Sequence, residues 1–287
     1  MPILVVGGTG TVGSQVVRAL LASDADVQVL TRKADSAKQL PDGAQAVIGD
    51  LLIPSTVRSV FRGVDGVFML NAVSPTETHE GLLALNGMCE AGIKRLVYLS
   101  VHHLDRAPHL PHFGAKLAIE SVVRRYGIPY TILRPNNFFQ NDYWFKDALL
   151  QHGIYPQPIG DIGLSRVDVR DIAEIAAKAL LEDGHEGQTY DLVGPDVLSG
   201  PRVAEIWSQA LGKPVRYGGN DLDRWEQQAL QSLPDWMAFD FRLMYAFFQA
   251  QGFAGTPADV ARLSALLGHP PRSFAAFAEE TAAQWRA

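Results

Sequence analysis

Glycines stand at Gly7, Gly10 and Gly13, directly after the apolar run Ile3, Leu4, Val5 and Val6. A side chain at Gly7 or Gly10 would block a tight turn or hold a phosphate away from main-chain N–H groups. One at Gly13 would keep the following helix off the strand. Two frames fit, Gly7-x-x-Gly10-x-x-Gly13 and Gly8-x-Gly10-x-x-Gly13. In either frame Thr9, Gly10, Thr11 and Val12 fall where a helix N-terminus offers its amides to a diphosphate. The chemistry implied is dinucleotide binding. The alternative is a glycine-rich turn that holds nothing.

The next residues with chemical content are Thr31, Arg32 and Lys33, at the end of the second β-branched run. A protein that binds NAD places a carboxylate here to accept from the ribose 2′-hydroxyl. Two cations suit a 2′-phosphate, which Arg binds bidentately. The expected cofactor is therefore NADP(H) in preference to NAD(H), set against a solvated basic turn. Asp50 and Leu51 follow the third apolar run, where Asp50 either accepts from an adenine amine or caps a turn. Asn71 and Ala72 leave the fourth run, at the edge where a parallel sheet borders its ligand. His112, Lys116 and Glu120 share one helix face at i, i+4 spacing. Lys116 there either bonds ribose hydroxyls and places positive charge beside a developing anion, or forms a surface pair with Glu120. The histidines 102, 103, 109 and 112 lack carboxylates or cysteines at ligand spacing, so no metal site is expected.

Elements must position these groups. Strands are expected at 3–6, 27–31, 44–48, 64–70, 95–100 and 130–133, with helices at 12–21, 54–61, 77–91 and 112–126 between them. This alternation predicts an α/β fold, a doubly wound parallel (Rossmann) sheet. Residues 165–169 and 188–193 are expected as returning strands, Asp171 as a helix N-cap, and Cys89 as a small core residue. The dinucleotide-binding domain is assigned to 1–134 and 163–193. A smaller, mainly helical substrate lobe takes 135–162 and 194–287. Its first stretch carries Asn136 at the cofactor, followed by Asn137, Phe138, Tyr143 and Trp144 as a pocket for a small apolar or aromatic substrate. The aromatic run from Trp236 to Phe248 is too densely apolar for one buried face. It is expected to be covered on more than one side, as core, as a pocket wall, or as the interface of a homodimer.

Taken together, these motifs resemble the NmrA-like family of atypical short-chain dehydrogenases/reductases. The resemblance rests on Val6-Gly7-Gly8-Thr9-Gly10-Thr11-Val12-Gly13, Thr31-Arg32-Lys33, Gly49-Asp50-Leu51 and Lys116-x-x-x-Glu120. It extends through residues 131–141, Val167-Asp168-Val169-Arg170-Asp171 and Tyr190-Asp191-Leu192-Val193-Gly194-Pro195. The family includes NADPH-dependent quinone and triphenylmethane-dye reductases and also NADP-sensing regulators. The resemblance implies hydride transfer from NADPH to a small conjugated acceptor, or a non-catalytic sensor acting through a protein partner. It carries over Lys116 as a cofactor contact. Orthodox short-chain reductases have Tyr-x-x-x-Lys, and His112 stands at the tyrosine position here. His112 is either a replacement proton donor or a bystander.

Composition narrows the rest. The chain has 287 residues, is 47% hydrophobic and carries a formal net charge of −6, which does not indicate nucleic-acid binding. A single cysteine, an N-terminus that enters a strand at once and no apolar run of membrane length point to a cytoplasmic protein. Replacing the guanidinium (Arg32→Ala) is expected to weaken NADPH binding by roughly 1.5–3 kcal/mol more than NADH binding. Calorimetric titration with both nucleotides measures this, and an equal loss for the two would show that Arg32 does not read the phosphate.

Overall fold

The computed structural model describes residues 1–286. Strand Pro2–Val6 (β1) enters helix Thr11–Leu21 (α1), followed by Asp26–Thr31 (β2), Ala34–Ala37 (α2), Ala44–Ile48 (β3) and Pro54–Val60 (α3). Gly66–Met69 (β4), Glu77–Ala91 (α4), Arg95–Leu99 (β5), Pro111–Val123 (α5) and Tyr130–Pro135 (β6) continue the alternation. Then come Lys146–His152 (α6), Ile154–Tyr155 (β7), Val169–Leu181 (α7), Gln188–Leu192 (β8), Gly200–Leu211 (α8) and Arg216–Tyr217 (β9). Helices Leu222–Ala229 (α9), Asp235–Gln251 (α10), Pro257–Leu267 (α11) and Phe274–Arg286 (α12) complete the chain.

Seven strands form one sheet in the order β3-β2-β1-β4-β5-β6-β8. The pairs from β3 across to β6 are all parallel. The fold is therefore a doubly wound α/β sheet of the Rossmann type. Its strand order reverses between β1 and β4, and the crevice at the carboxyl ends of those strands is where such sheets bind ligands. The β1 run is buried on both faces, with Ile3, Leu4 and Val5 at 0% exposure. On one face Leu4, Val6 and Met69 pack with Val57, Leu85, Met88, Ile119 and Val123 from α3, α4 and α5. On the other, α1 lies against α7. The apolar stripe Val12, Val16, Val17 and Leu20 makes α1 amphipathic, and the buried alanines 173, 176 and 177 let α7 sit close.

The chain divides into two compact units, one of Met1–Pro135 with Val169–Tyr190, the other of Asn136–Asp168 with the chain from Asp191 onward. Residues 163–168 and 191–193 thus pack with the second unit. That unit is built around Arg166, which is fully buried. Its guanidinium donates to Asp142 Oδ1 at 2.6 Å, to the Phe138 carbonyl at 2.7 Å and to Asn137 Oδ1 at 3.0 Å. The Phe274 ring lies 5.0 Å away, and Asp142 also accepts from Trp207 Nε1 at 2.9 Å. Burial pulls the Arg166 pKa down, and the Asp142 carboxylate more than offsets it, so the group stays charged. Burial, reinforced by Asp142, pushes the neighbouring Tyr155 phenol well above its usual range.

Several sequence expectations are corrected here. Residues 165–169 form no continuous strand. Leu164 and Val167 make only isolated bridges, to Leu198, Phe253 and Phe138, because their neighbours alternate from one residue to the next. Asp171 does not cap α7, which starts two residues earlier at Val169, so Asp171 lies in the first turn. Cys89 is exposed, because the buried stripe of α4 runs through Gly81, Ala84, Leu85 and Met88 and passes it by. The aromatic stretch of α10, by contrast, is buried on more than one side, as expected. Tyr245, Phe247 and Phe248 are buried, but Phe239 is 54% exposed. Removing the buried cation (Arg166→Met) strands the Asp142 carboxylate, and an expected loss of about 3–5 kcal/mol would appear as a lower urea midpoint at unchanged slope.

Candidate functional site

The first βα turn opens onto a cleft of 590 Å³ at the carboxyl edge of the sheet. Gly7 adopts φ +80°, and a Cβ there would lie 2.7 Å from the Leu70 carbonyl oxygen. At Gly13 a Cβ would come within 2.1 Å of the Gly7 carbonyl oxygen. Only glycine permits this approach of helix to turn. The Gly10 amide donates to the Gly7 carbonyl at 3.0 Å and closes the turn. No side chain caps α1. Its first-turn N–H groups, those of Thr11, Val12 and Gly13, therefore have no capping partner and carry the positive end of the helix dipole.

Each strand end adds a wall to this cleft. Gly7, Thr9 and Gly10 come from the first turn, Arg32 and Lys33 from the end of β2, Asp50 and Leu51 from beyond β3, and Asn71 and Ala72 from beyond β4. Nine of the residues singled out in the sequence thus share one cavity. Arg32 and Lys33 are solvent-exposed, and among the described residues neither has an ion-pair partner. The Thr31 hydroxyl bridges the amide and carbonyl of Lys33 at 3.3 and 3.2 Å and holds the turn that presents both cations. Asp50 Oδ1 accepts from the Leu52 amide at 2.9 Å, so its carboxylate does act as a turn cap.

Asn71 is 3% exposed, and neither atom of its side-chain amide has a hydrogen-bond partner in the protein. A buried polar atom left unmatched costs about 1–3 kcal/mol. Its place in the cleft wall makes a ligand the natural partner. The Ser100 hydroxyl at the end of β5 and the Tyr98 hydroxyl are likewise buried without partners. Burial, with Glu77 and Glu120 adding to it, holds the Tyr98 phenol well above its usual pKa and therefore neutral.

The sequence offered Lys116 either a ribose or Glu120, and within the protein its partner is not Glu120. Lys116 Nζ donates to Glu77 Oε1 of α4 at 2.6 Å, with both side chains buried. Glu120 is engaged by Arg134 at 2.9 and 2.8 Å and by Arg124 at 3.1 Å. The surface pair expected between Lys116 and Glu120 is absent because strand β6 supplies Glu120 with a stronger, bidentate partner. Glu77 went unrecognised in the sequence, where it reads as one of two acidic residues at a helix start. Glu80, which lines the cleft and accepts from Thr76 Oγ1 at 2.6 Å, was missed for the same reason. His112 is 8% exposed and packs edge-on against Phe113. Among the described residues no cluster of His, Cys, Asp and Glu has the makings of a metal site.

The second-unit residues are placed differently from one another. Asn136 opens the second unit. Its Nδ2 donates to the Phe253 carbonyl at 2.6 Å and its Oδ1 accepts from the Asn137 amide at 2.8 Å, so its amide holds the backbone of its own unit. Asn137 and the Phe138 carbonyl serve Arg166. Tyr143 is 43% and Trp144 70% exposed.

This geometry has relatives. Residues 1–270 match the model of the NmrA-like family. The chain belongs to the NmrA-like family. Its relatives include the NAD(P)H azoreductase of Xenophilus azovorans, 35% identical over 99% of both chains. Among solved structures, NADPH-dependent quinone oxidoreductase 2 of Escherichia coli, in complex with NADPH, superposes with a TM-score of 0.87 at 24% identity. That match covers 97% of this chain and 99% of the other. Citrobacter sp. triphenylmethane reductase complexed with NADP(H) gives 0.85 at 23% identity, covering 98% and 99%. In this NmrA-like protein the first turn leaves no room for a side chain at Gly13. Adding one methyl group (Gly13→Ala) is expected to lower stability by about 1–3 kcal/mol and NADPH affinity roughly tenfold or more. Urea unfolding and calorimetry measure the two effects, and unchanged affinity would place the nucleotide elsewhere.

Proposed function

We propose that this NmrA-like protein is an NAD(P)H-dependent reductase that passes hydride from NADPH to a small conjugated acceptor such as a quinone or dye. One observation carries the reading. An uncapped helix N-terminus, two unpaired cations and a buried, unmatched amide converge on one cleft at the reversal point of the sheet. Each feature matches a different part of a phosphorylated dinucleotide. The α1 amides suit the diphosphate, Arg32 with Lys33 the 2′-phosphate, and Asn71 a polar group deeper along the edge. The likeness to an NAD(P)H azoreductase over the full length of both chains supports a redox role.

When bound, the reduced nicotinamide supplies the hydride. Lys116 holds three N–H donors, one of which goes to Glu77, leaving two for ribose hydroxyls. Its positive charge favours electron density building on the acceptor. Hydride addition to a quinone leaves a hydroquinone anion, which takes its proton from water, so no tyrosine is required at position 112. His112 is the proton donor for acceptors whose product anion is more basic.

Stopped-flow oxidation of NADPH with a panel of quinones, triphenylmethane dyes and azo dyes tests the reading. Acceleration over free NADPH is expected with at least one class, and rates no faster than the uncatalysed reaction for every acceptor would reject it.

A further inference from the structure

The buried pair between Lys116 and Glu77 is not required by either helix. Two charges withdrawn from water gain little over an apolar pair of similar size, so burial alone does not account for them. Their position does. Glu77 is the first residue of α4, where the helix dipole favours a carboxylate. Glu80, three residues on, lines the cleft. One turn along α4 from Glu77, a Cβ at Gly81 would lie 2.6 Å from the Ile119 side chain and 3.5 Å from Asn71 Oδ1. The bare backbone at Gly81 therefore lets α4 and α5 close together directly behind the cleft wall. That contact brings the Glu77 carboxylate, 1% exposed, to the Lys116 ammonium at 2.6 Å. Among the described residues Lys116 Nζ makes no other hydrogen bond.

We propose that Glu77 is a positioning residue of this enzyme: it holds the Lys116 ammonium aimed along the cleft edge, and acts on hydride transfer only through that amine. The proposal rests on the reading of Lys116 as a cofactor contact. An ammonium on a four-carbon stem samples many rotamers, and a fixed carboxylate at one donor restricts where the other two point. An orientation error of about 1 Å at a contact of this kind costs on the order of a hundredfold in rate.

The test is a set of four variants compared with the wild-type protein by steady-state NADPH oxidation, using the best acceptor found. Glu77→Gln is expected to lower kcat about ten- to a hundredfold while the KM for NADPH moves by less than about threefold. Glu77→Asp, which keeps the charge but shortens the reach, falls between the two. Lys116→Met lowers kcat at least as far as Glu77→Gln, and adding Glu77→Gln to it changes nothing further. Wild-type kcat in Glu77→Gln, or an equal additional loss in the Lys116→Met background, overturns the positioning role while leaving the reading of Lys116 intact. A wild-type protein that does not oxidise NADPH, or a fully active Lys116→Met variant, overturns that reading first and the present proposal with it. Should Glu77→Gln fail to fold, Glu77→Asp decides, since its ion pair stays balanced; an unchanged kcat there is also a rejection.

Discussion

The site depends on the close approach between the backbone of Gly13 and the carbonyl of Gly7. A Cβ on Gly13 would lie 2.1 Å from that oxygen, well inside any permitted contact. Because nothing projects there, α1 starts directly above the carboxyl end of β1, with its first amides uncapped. A bulkier residue would lift the helix, and the dipole end would lose its aim at the crevice. The surrounding sheet serves this placement. β1 is an interior strand, paired on both sides and buried on both faces, so the turn that follows has little freedom to move.

Buried charges are used sparingly and each has a partner. Arg134 holds Glu120, Lys116 holds Glu77, and Arg166 holds Asp142. The three pairs differ in purpose. Arg134 and Glu120 tie a strand to the helix that covers it. Arg166 and Asp142 organise a core that also takes in Trp207 and two backbone carbonyls. Lys116 and Glu77 join two helices beside the cleft, where the ammonium keeps donors to spare. Arg32 and Lys33 form the contrasting case, exposed cations with no ion-pair partner among the described residues.

The fold class, the glycine turn and the cleft-lining residues from Gly7 to Ala72 were legible because each depends on local order. Strand, turn and helix follow one another within about a dozen residues, and β-branched runs ending in Gly, Asp or Asn mark the strand ends that line the crevice. The aromatic stretch after β6 was less legible. Phe139 is buried and Trp144 exposed, although both stand in one aromatic-rich segment. Composition alone does not say which ring faces the core when a segment folds as a 3₁₀ turn and not as an α-helix.

From its sequence by itself, this chain determined a parallel α/β sheet, a glycine turn before α1 and a basic turn after β2. Those features are written in short-range periodicity and in the absence of side chains. Only tertiary structure decided the ion pairs. Lys116 and Glu120 are four residues apart and were natural partners on a helix face, yet each bonds to an element distant in the chain. Burial is the reason. Once α5 is covered by α4 and β6, a charge must be matched by whatever group the packing brings against it, and sequence spacing carries no record of that choice.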